Sequence, residues 1–199
     1  MSENILVIDN YDSFTYNLVH ALNDLARKEV TVQRNDEIDF SLLDSFDTLV
    51  LSPGPGIPDE AGQLKEVIEK MTPHKKILGV CLGHQAIGET FGATLQNLSS
   101  VYHGIQTRFY LTDIASPIFR HIDNVFEGGR YHSWVIQKDT LSSEFEVTCQ
   151  DADGEIMAIQ HKRFNVFGVQ FHPESILTPK GKTILNNFLN VNGNERNPK

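Results

Sequence analysis

The chain has 199 residues, with 17 Lys+Arg against 26 Asp+Glu and a formal net charge of −9 at pH 7. Hydrophobic residues make up 40%, enough to fill one sizeable core, so a single domain is predicted. The acidic balance, with no block of Lys or Arg, argues against a polyanion-binding surface and a nucleic-acid partner.

At the N-terminus, Ile5-Leu6-Val7-Ile8 gives way at once to Asp9-Asn10-Tyr11-Asp12. That run is too short and too quickly charged for a signal peptide, and no apolar stretch is long enough to span a bilayer. Together with only two cysteines, which cannot build a disulfide scaffold, this predicts a cytoplasmic protein with no membrane partner. Residues 4–9 read as a buried strand. Residues 13–27 carry Phe14, Leu18, Ala21, Leu22 and Leu25 at helical spacing, with Asp12 or Ser13 as the N-cap. Strands follow at 29–33 and 47–51, a helix at 60–71, a strand at 76–80 and a helix at 84–91. Strands alternating with helices predict an α/β fold, a parallel sheet with helices on both faces.

The second half changes period. Residues 102–113, 134–138, 145–150, 155–161 and 165–171 read as strands with short connections, and 181–189 as a closing helix. The expected result is a mixed, mostly parallel sheet with an antiparallel extension, in one domain over residues 1–190. The polar residues 191–199 are expected to form a flexible tail.

Gly79-Val80-Cys81-Leu82-Gly83-His84-Gln85 joins the strand at 76–80 to the helix that follows. It has the G-x-nucleophile-x-G pattern of a strand–turn–helix elbow, with cysteine in the reactive place. The glycines let the backbone turn tightly beneath a projecting side chain, and a thiolate at a helix N-terminus is favoured by the dipole and free N–H groups. The heptapeptide alone fits a buried structural cysteine equally well. Cys149, in the alternating segment Glu146-Val147-Thr148-Cys149-Gln150, reads as a core residue.

A cysteine nucleophile needs a histidine, and that histidine an acceptor. Of eight histidines, His172 has the best setting, because it ends an apolar strand and is followed by Pro173-Glu174. Glu174 lies close enough to bond the imidazole, though alone it would pass for a capping or solvated acid. His84 follows the cysteine on the helix and points the wrong way. No metal-ligand spacing is present. Ser52-Pro53-Gly54-Pro55-Gly56, directly after a strand, is either a rigid turn or a loop that offers a bare N–H to an oxyanion. The N–H of Leu82 would then be the second donor.

Taken together, these segments resemble the class I, triad-type glutamine amidotransferases over nearly the whole chain. The N-terminal Asp9-Asn10-Tyr11-Asp12-Ser13-Phe14-Thr15-Tyr16-Asn17 and the segment Arg130-Tyr131-His132-Ser133-Trp134 are similar to the small subunits of chorismate-using synthases, those that make anthranilate or aminodeoxychorismate. The resemblance implies a flavodoxin-like three-layer fold. It implies a triad of Cys81, His172 and Glu174, and an oxyanion hole of Gly56 and Leu82. It also implies a glutamine pocket of Gly54, Pro55, Gly56, Gln85, Ser133 and Trp134. L-glutamine would be the substrate and a larger synthase subunit, component I, the partner. No cofactor is implied in this chain, and Mg2+ is expected to serve the synthase. Anthranilate is favoured by Tyr131-His132-Ser133-Trp134 with Glu155-Ile156-Met157-Ala158; the alternatives are aminodeoxychorismate or one chain serving both. A cysteine hydrolase acting on another amide, or a silent flavodoxin-like binding module, would share the scaffold. His103-Gly104-Ile105-Gln106-Thr107 departs from the His-Gly-Lys-Thr/Ser common in such subunits, which bears on the partner's identity.

Overall fold

The computed structural model describes residues 3–99 and 101–191. Its strands in chain order are β1 (Ile5–Asp9), β2 (Thr31–Arg34), β3 (Thr48–Leu51), β4 (Lys76–Val80), β5 (Leu95–Asn97) and β6 (Ile105–Leu111). There follow β7 (Val125–Arg130), β8 (Trp134–Ile136), β9 (Phe145–Gln150), β10 (Ile156–His161) and β11 (Val166–Val169). Nine of them form one sheet in the order β2-β1-β3-β4-β11-β10-β9-β6-β7, while β5 and β8 pair separately. The run from β2 to β11 is parallel, in the order of a flavodoxin-like half. From β11 outward each strand reverses on its neighbour, which gives the expected antiparallel extension.

Strands β1, β3, β4 and β11 are buried at every residue, as a sheet covered on both faces requires. The pleat then sorts side chains to two cores. Val7, Val50, Leu78 and Val80 meet Leu18, Val19 and Leu22 of helix α1 (Thr15–Ala26) and Ile184, Leu185 and Phe188 of α4 (Gly181–Leu189). Leu6, Ile8, Leu49, Leu51 and Ile77 meet Leu64, Val67 and Ile68 of α2 (Leu64–Met71) and Leu82, Ala86 and Ile87 of α3 (Leu82–Thr90). Each such side chain contributes about 1.5–3 kcal/mol when fully buried. Among the described residues, no helix is long and apolar enough to cross a membrane.

Several boundaries differ from those expected. Helix α1 begins at Thr15, and Phe14 caps it without a side-chain bond. Asp12 instead closes the preceding turn, its Oδ1 accepting from the Phe14 N–H at 2.7 Å. The helix read at 60–71 is broken, because Gly62 sits at φ +54 between a short 3-10 turn (Pro58–Glu60) and α2. Strands β5 and β7 escaped the reading. β5 has three residues, and β7 (VFEGGR) carries two glycines and an acid that mask its alternation. Of the expected tail, residues 192–199 lie outside the described residues, and Val191 is buried in the core.

Candidate active site

In a parallel sheet, adjacent strands end on the same edge, and there the chain leaves β1, β3, β4 and β11. The continuation of β4 is Cys81, at φ 51 and ψ −101. This left-handed conformation costs a non-glycine residue about 1–3 kcal/mol. It is held by the Cys81 N–H donating to the Val169 carbonyl at 2.9 Å and by the Gln85 N–H donating to the Cys81 carbonyl at 3.0 Å. The elbow's glycines are explained by space. A Cβ on Gly79 would lie 2.4 Å from the Gly83 backbone, and one on Gly83 would lie 2.6 Å from the Leu51 carbonyl oxygen. Leu82 is the first residue of α3, so its N–H has no partner within its own helix.

The turn after β11 brings His172 to the sulfur. The His172 N–H donates to the Gly129 carbonyl at 3.1 Å, and its carbonyl accepts from Thr178 Oγ1 at 2.6 Å. Helix α4 presses on the same turn. A Cβ on Gly181 would overlap the Pro173 carbonyl oxygen at 1.8 Å, so only glycine fits there. The imidazole Nδ1 is 2.7 Å from Glu174 Oε1, with both side chains buried. Phe14 and Tyr131 flank the ring at centroid distances of 5.3 and 4.8 Å. Burial opposes charge on this imidazole, but the Cys81 sulfur and then Glu174 outweigh it and push its pKa up to about 10. Nε2 faces the sulfur without reaching hydrogen-bond geometry. Such catalytic contacts commonly tighten when substrate binds.

The loop after β3 lies against the elbow. A Cβ on Gly54 would meet Leu82 Cδ2 at 2.4 Å and Asn10 Cβ at 2.6 Å, and Gly56 adopts φ +71. Asn10 fixes this loop: its N–H donates to Ser52 Oγ and its Nδ2 to the Ser52 carbonyl, each at 2.8 Å. Asn35 Nδ2 in turn donates to Asn10 Oδ1 at 3.0 Å. The N-terminal segment therefore braces the site from two sides, Asn10 on the loop and Phe14 on the imidazole.

Gln85, in the first turn of α3, donates through Nε2 to the Trp134 carbonyl at 2.8 Å. This joins Trp134 and its neighbour Ser133 to the elbow; the Ser133 carbonyl accepts from the Leu98 N–H at 2.7 Å. All the expected site residues thus gather along one sheet edge, with Pro55 and Gly56 exposed at its rim. Sequence reading missed Gln170, fully buried, whose Nε2 donates to Cys81 Sγ at 3.6 Å. The available signal was a lone carboxamide in the apolar run Val169-Gln170-Phe171, on the same strand side as His172. The reading also missed Asn10, Phe14 and Tyr131 as supports.

The other histidines behave differently. His84 is fully buried, and burial pushes its pKa down to about 3; it is a neutral core residue pointing away from any substrate. His132 is pushed down to about 3 by burial and then by Arg130. The segment from His103 lies beside the site's edge: the His103 ring is 6.1 Å from that of Tyr131, and Gln106 Nε2 donates to the Leu177 carbonyl at 2.9 Å. A cavity of about 810 Å³ lined by Thr112, Arg120, Glu146, Thr148 and Gln160 contains none of the site residues. Among the described residues, no cluster of His, Cys, Asp and Glu is arranged to hold a metal ion.

Comparison with known proteins agrees with this geometry. The family model for class-I glutamine amidotransferases matches residues 6–191. The chain is 45% identical to anthranilate synthase component 2 of Pseudomonas aeruginosa, over 96% of this chain and 98% of that protein. It is 45% identical to the aminodeoxychorismate/anthranilate synthase component 2 of Bacillus subtilis, over 93% and 95%. It spans 32% of the bifunctional protein TrpGD of Thermotoga maritima, at 42% identity over 94% of this chain. The crystal structure of a GMP synthase protein from Thermoplasma acidophilum superposes with TM-score 0.85 at 28% identity, covering 95% of this chain and 93% of that one. With a cysteine elbow, a His–Glu pair and a glycine loop on one sheet edge, the chain belongs to the class I glutamine amidotransferase family.

Proposed function

We propose that the chain is the glutaminase subunit of a chorismate-aminating synthase, with Cys81, His172 and Glu174 as its triad. The observation that carries this reading is the strained Cys81 at a helix N-terminus, facing an imidazole paired with Glu174 at 2.7 Å. With its pKa held high, His172 supports a thiolate–imidazolium pair at neutral pH.

In the first step the Cys81 thiolate adds to the side-chain amide carbon of glutamine, and the carbonyl electron pair moves to oxygen. The N–H groups of Gly56 and Leu82 receive that oxyanion, and losing one such donor typically costs about 100- to 1,000-fold in rate. His172 gives its proton to the nitrogen, the C–N bond breaks, and ammonia leaves a glutamyl thioester. The now neutral His172 takes a proton from water, which adds to the thioester. Collapse expels the Cys81 thiolate, releases glutamate and leaves His172 protonated. Glu174 orients the ring throughout. Gly54, Pro55, Gly56, Gln85, Ser133 and Trp134 are proposed to line the glutamine pocket.

Ammonia would be consumed by a larger component I partner, as the names of the full-length relatives support. Anthranilate is the proposed product. Aminodeoxychorismate is the second reading, because relatives named for either product are each 45% identical. In the reconstituted complex, Cys81→Ser should abolish glutamine-dependent synthesis but leave synthesis from added ammonium intact. Retained use of glutamine would remove Cys81 from the mechanism. Identifying the aminobenzoate formed with the native partner decides between the two products.

A further inference from the structure

A buried run of hydrogen bonds reaches the sulfur from the side opposite to the expected chemistry. It starts at Arg130, whose Nη1 donates to Asp151 Oδ2 at 2.7 Å and whose Nε donates to His132 Nε2 at 3.2 Å. A guanidinium cannot accept, so His132 accepts at Nε2 and carries its proton on Nδ1, 3.0 Å from the Trp134 carbonyl oxygen. That carbonyl can only accept. The Gln85 carboxamide must therefore turn its nitrogen toward it, at 2.8 Å. The same nitrogen lies 3.2 Å from Gln170, which must answer with Oε1. Only one orientation of the Gln170 amide remains, with Nε2 directed at Cys81 Sγ, 3.6 Å away.

We propose that Gln170 is a hydrogen-bond donor to the Cys81 sulfur, locked in that orientation by Gln85 and the Trp134 carbonyl, and that it stabilises the thiolate. This rests on the reading of Cys81 as the nucleophile. A neutral donor serves the reaction twice: it raises the thiolate fraction before attack, and it favours departure of the sulfur from the thioester. Arg130 and His132 act at a distance as positioning residues, since they fix the acceptor from which the run takes its direction.

The titratable and charged groups around the sulfur are few. His172 with Glu174 face it from the turn after β11. His84 lies on α3, and His132 with the Arg130–Asp151 pair follows β7; Glu60 stands beside Gly56. Gln170 does not titrate, so its removal should shift the sulfur's profile without adding a new inflection.

The test is the rate of Cys81 alkylation by iodoacetamide against pH in the intact chain, with the modified residue identified by mass spectrometry. Gln170→Leu should slow alkylation at pH 6 about ten-fold and move the profile about one unit toward alkali, as loss of a donor to a charged acceptor implies. Gln170→Glu should move it further in the same direction. In the reconstituted complex, Gln170→Leu should lower kcat for glutamine while KM changes less than about two-fold. Profiles that superimpose on the wild type in both folded variants overturn the proposal. Should those variants fail to fold, Gln85→Glu serves. A carboxylate there cannot donate to the Trp134 carbonyl, so Gln170 would turn its Nε2 toward residue 85 and its oxygen toward the sulfur. An alkaline shift is again expected, and an unchanged profile overturns the proposal. Failure of the underlying reading is distinct: wild-type Cys81 would then react no faster at pH 6 than a thiol in the urea-unfolded chain.

Discussion

Cys81 and Cys149 are both free and both buried, but their settings make them different chemical groups. Cys149 sits in the regular part of β9, where its sulfur reaches only the Gln150 carbonyl at 4.0 Å and burial drives its thiol pKa upward. Cys81 stands on a left-handed turn at a helix N-terminus, between an imidazole and a carboxamide nitrogen. Burial penalises a thiolate in both places, and only at Cys81 do donors offset it. Reactivity here is thus a property of what faces the sulfur rather than of how deep it lies.

Alkylating both cysteines in the native chain puts that contrast at greatest risk. At pH 7, Cys81 should react at least about a thousand-fold faster than Cys149, given inverse thiolate populations and blocked access to β9. Comparable rates would erase the contrast. Next in size is the loss of the facing imidazole. His172→Ala should reduce glutamine hydrolysis in the complex about a thousand-fold or more, whereas Glu174→Ala should cost about ten- to a hundred-fold, because an orienting group contributes less than the base it orients. An equal or larger loss for Glu174→Ala would contradict its role.

The smallest effect concerns stability and extends the contrast to histidines. His84 and His132 have folded-state pKa values near 3, below the unfolded value of about 6.5. Their neutral burial therefore supports the fold fully above pH 6.5, and that support is lost as pH falls toward 3. His172 has the opposite sign. Its contribution is present below pH 6.5 and disappears as pH rises through about 10. Urea midpoints should fall by the equivalent of several kcal/mol between pH 6.5 and 4, and His84→Leu should flatten that acid limb. An unchanged slope would mean that His84 accepts its proton in the folded chain.

Much of this arrangement was legible in the sequence because the rules involved are local. The elbow glycines, the proline after His172 and the Pro-Gly loop each answer to backbone geometry within a few residues, and the alternation of periods pointed to the parallel core. What stayed hidden depends on contacts distant in sequence. Gln170 looks like an anomaly in an apolar strand until the sheet sets it 3.6 Å from a sulfur 89 residues earlier. Asn10 likewise looks like a turn residue until Ser52, 42 positions on, supplies its partner. β7 was missed because its glycines, Gly128 and Gly129, leave room for Phe109 and Leu177 rather than adding side chains of their own.

The strand that carries His172 to the site comes last in the chain, but it is inserted in the middle of the sheet, between β4 and β10. During synthesis the cysteine elbow is therefore complete long before its base exists. A nascent or truncated chain ending before β11 would hold two open strand edges where that strand belongs, and such edges invite association with other chains. Hydrolysis can begin only once the final strand closes the gap, so a half-made chain cannot release ammonia ahead of assembly.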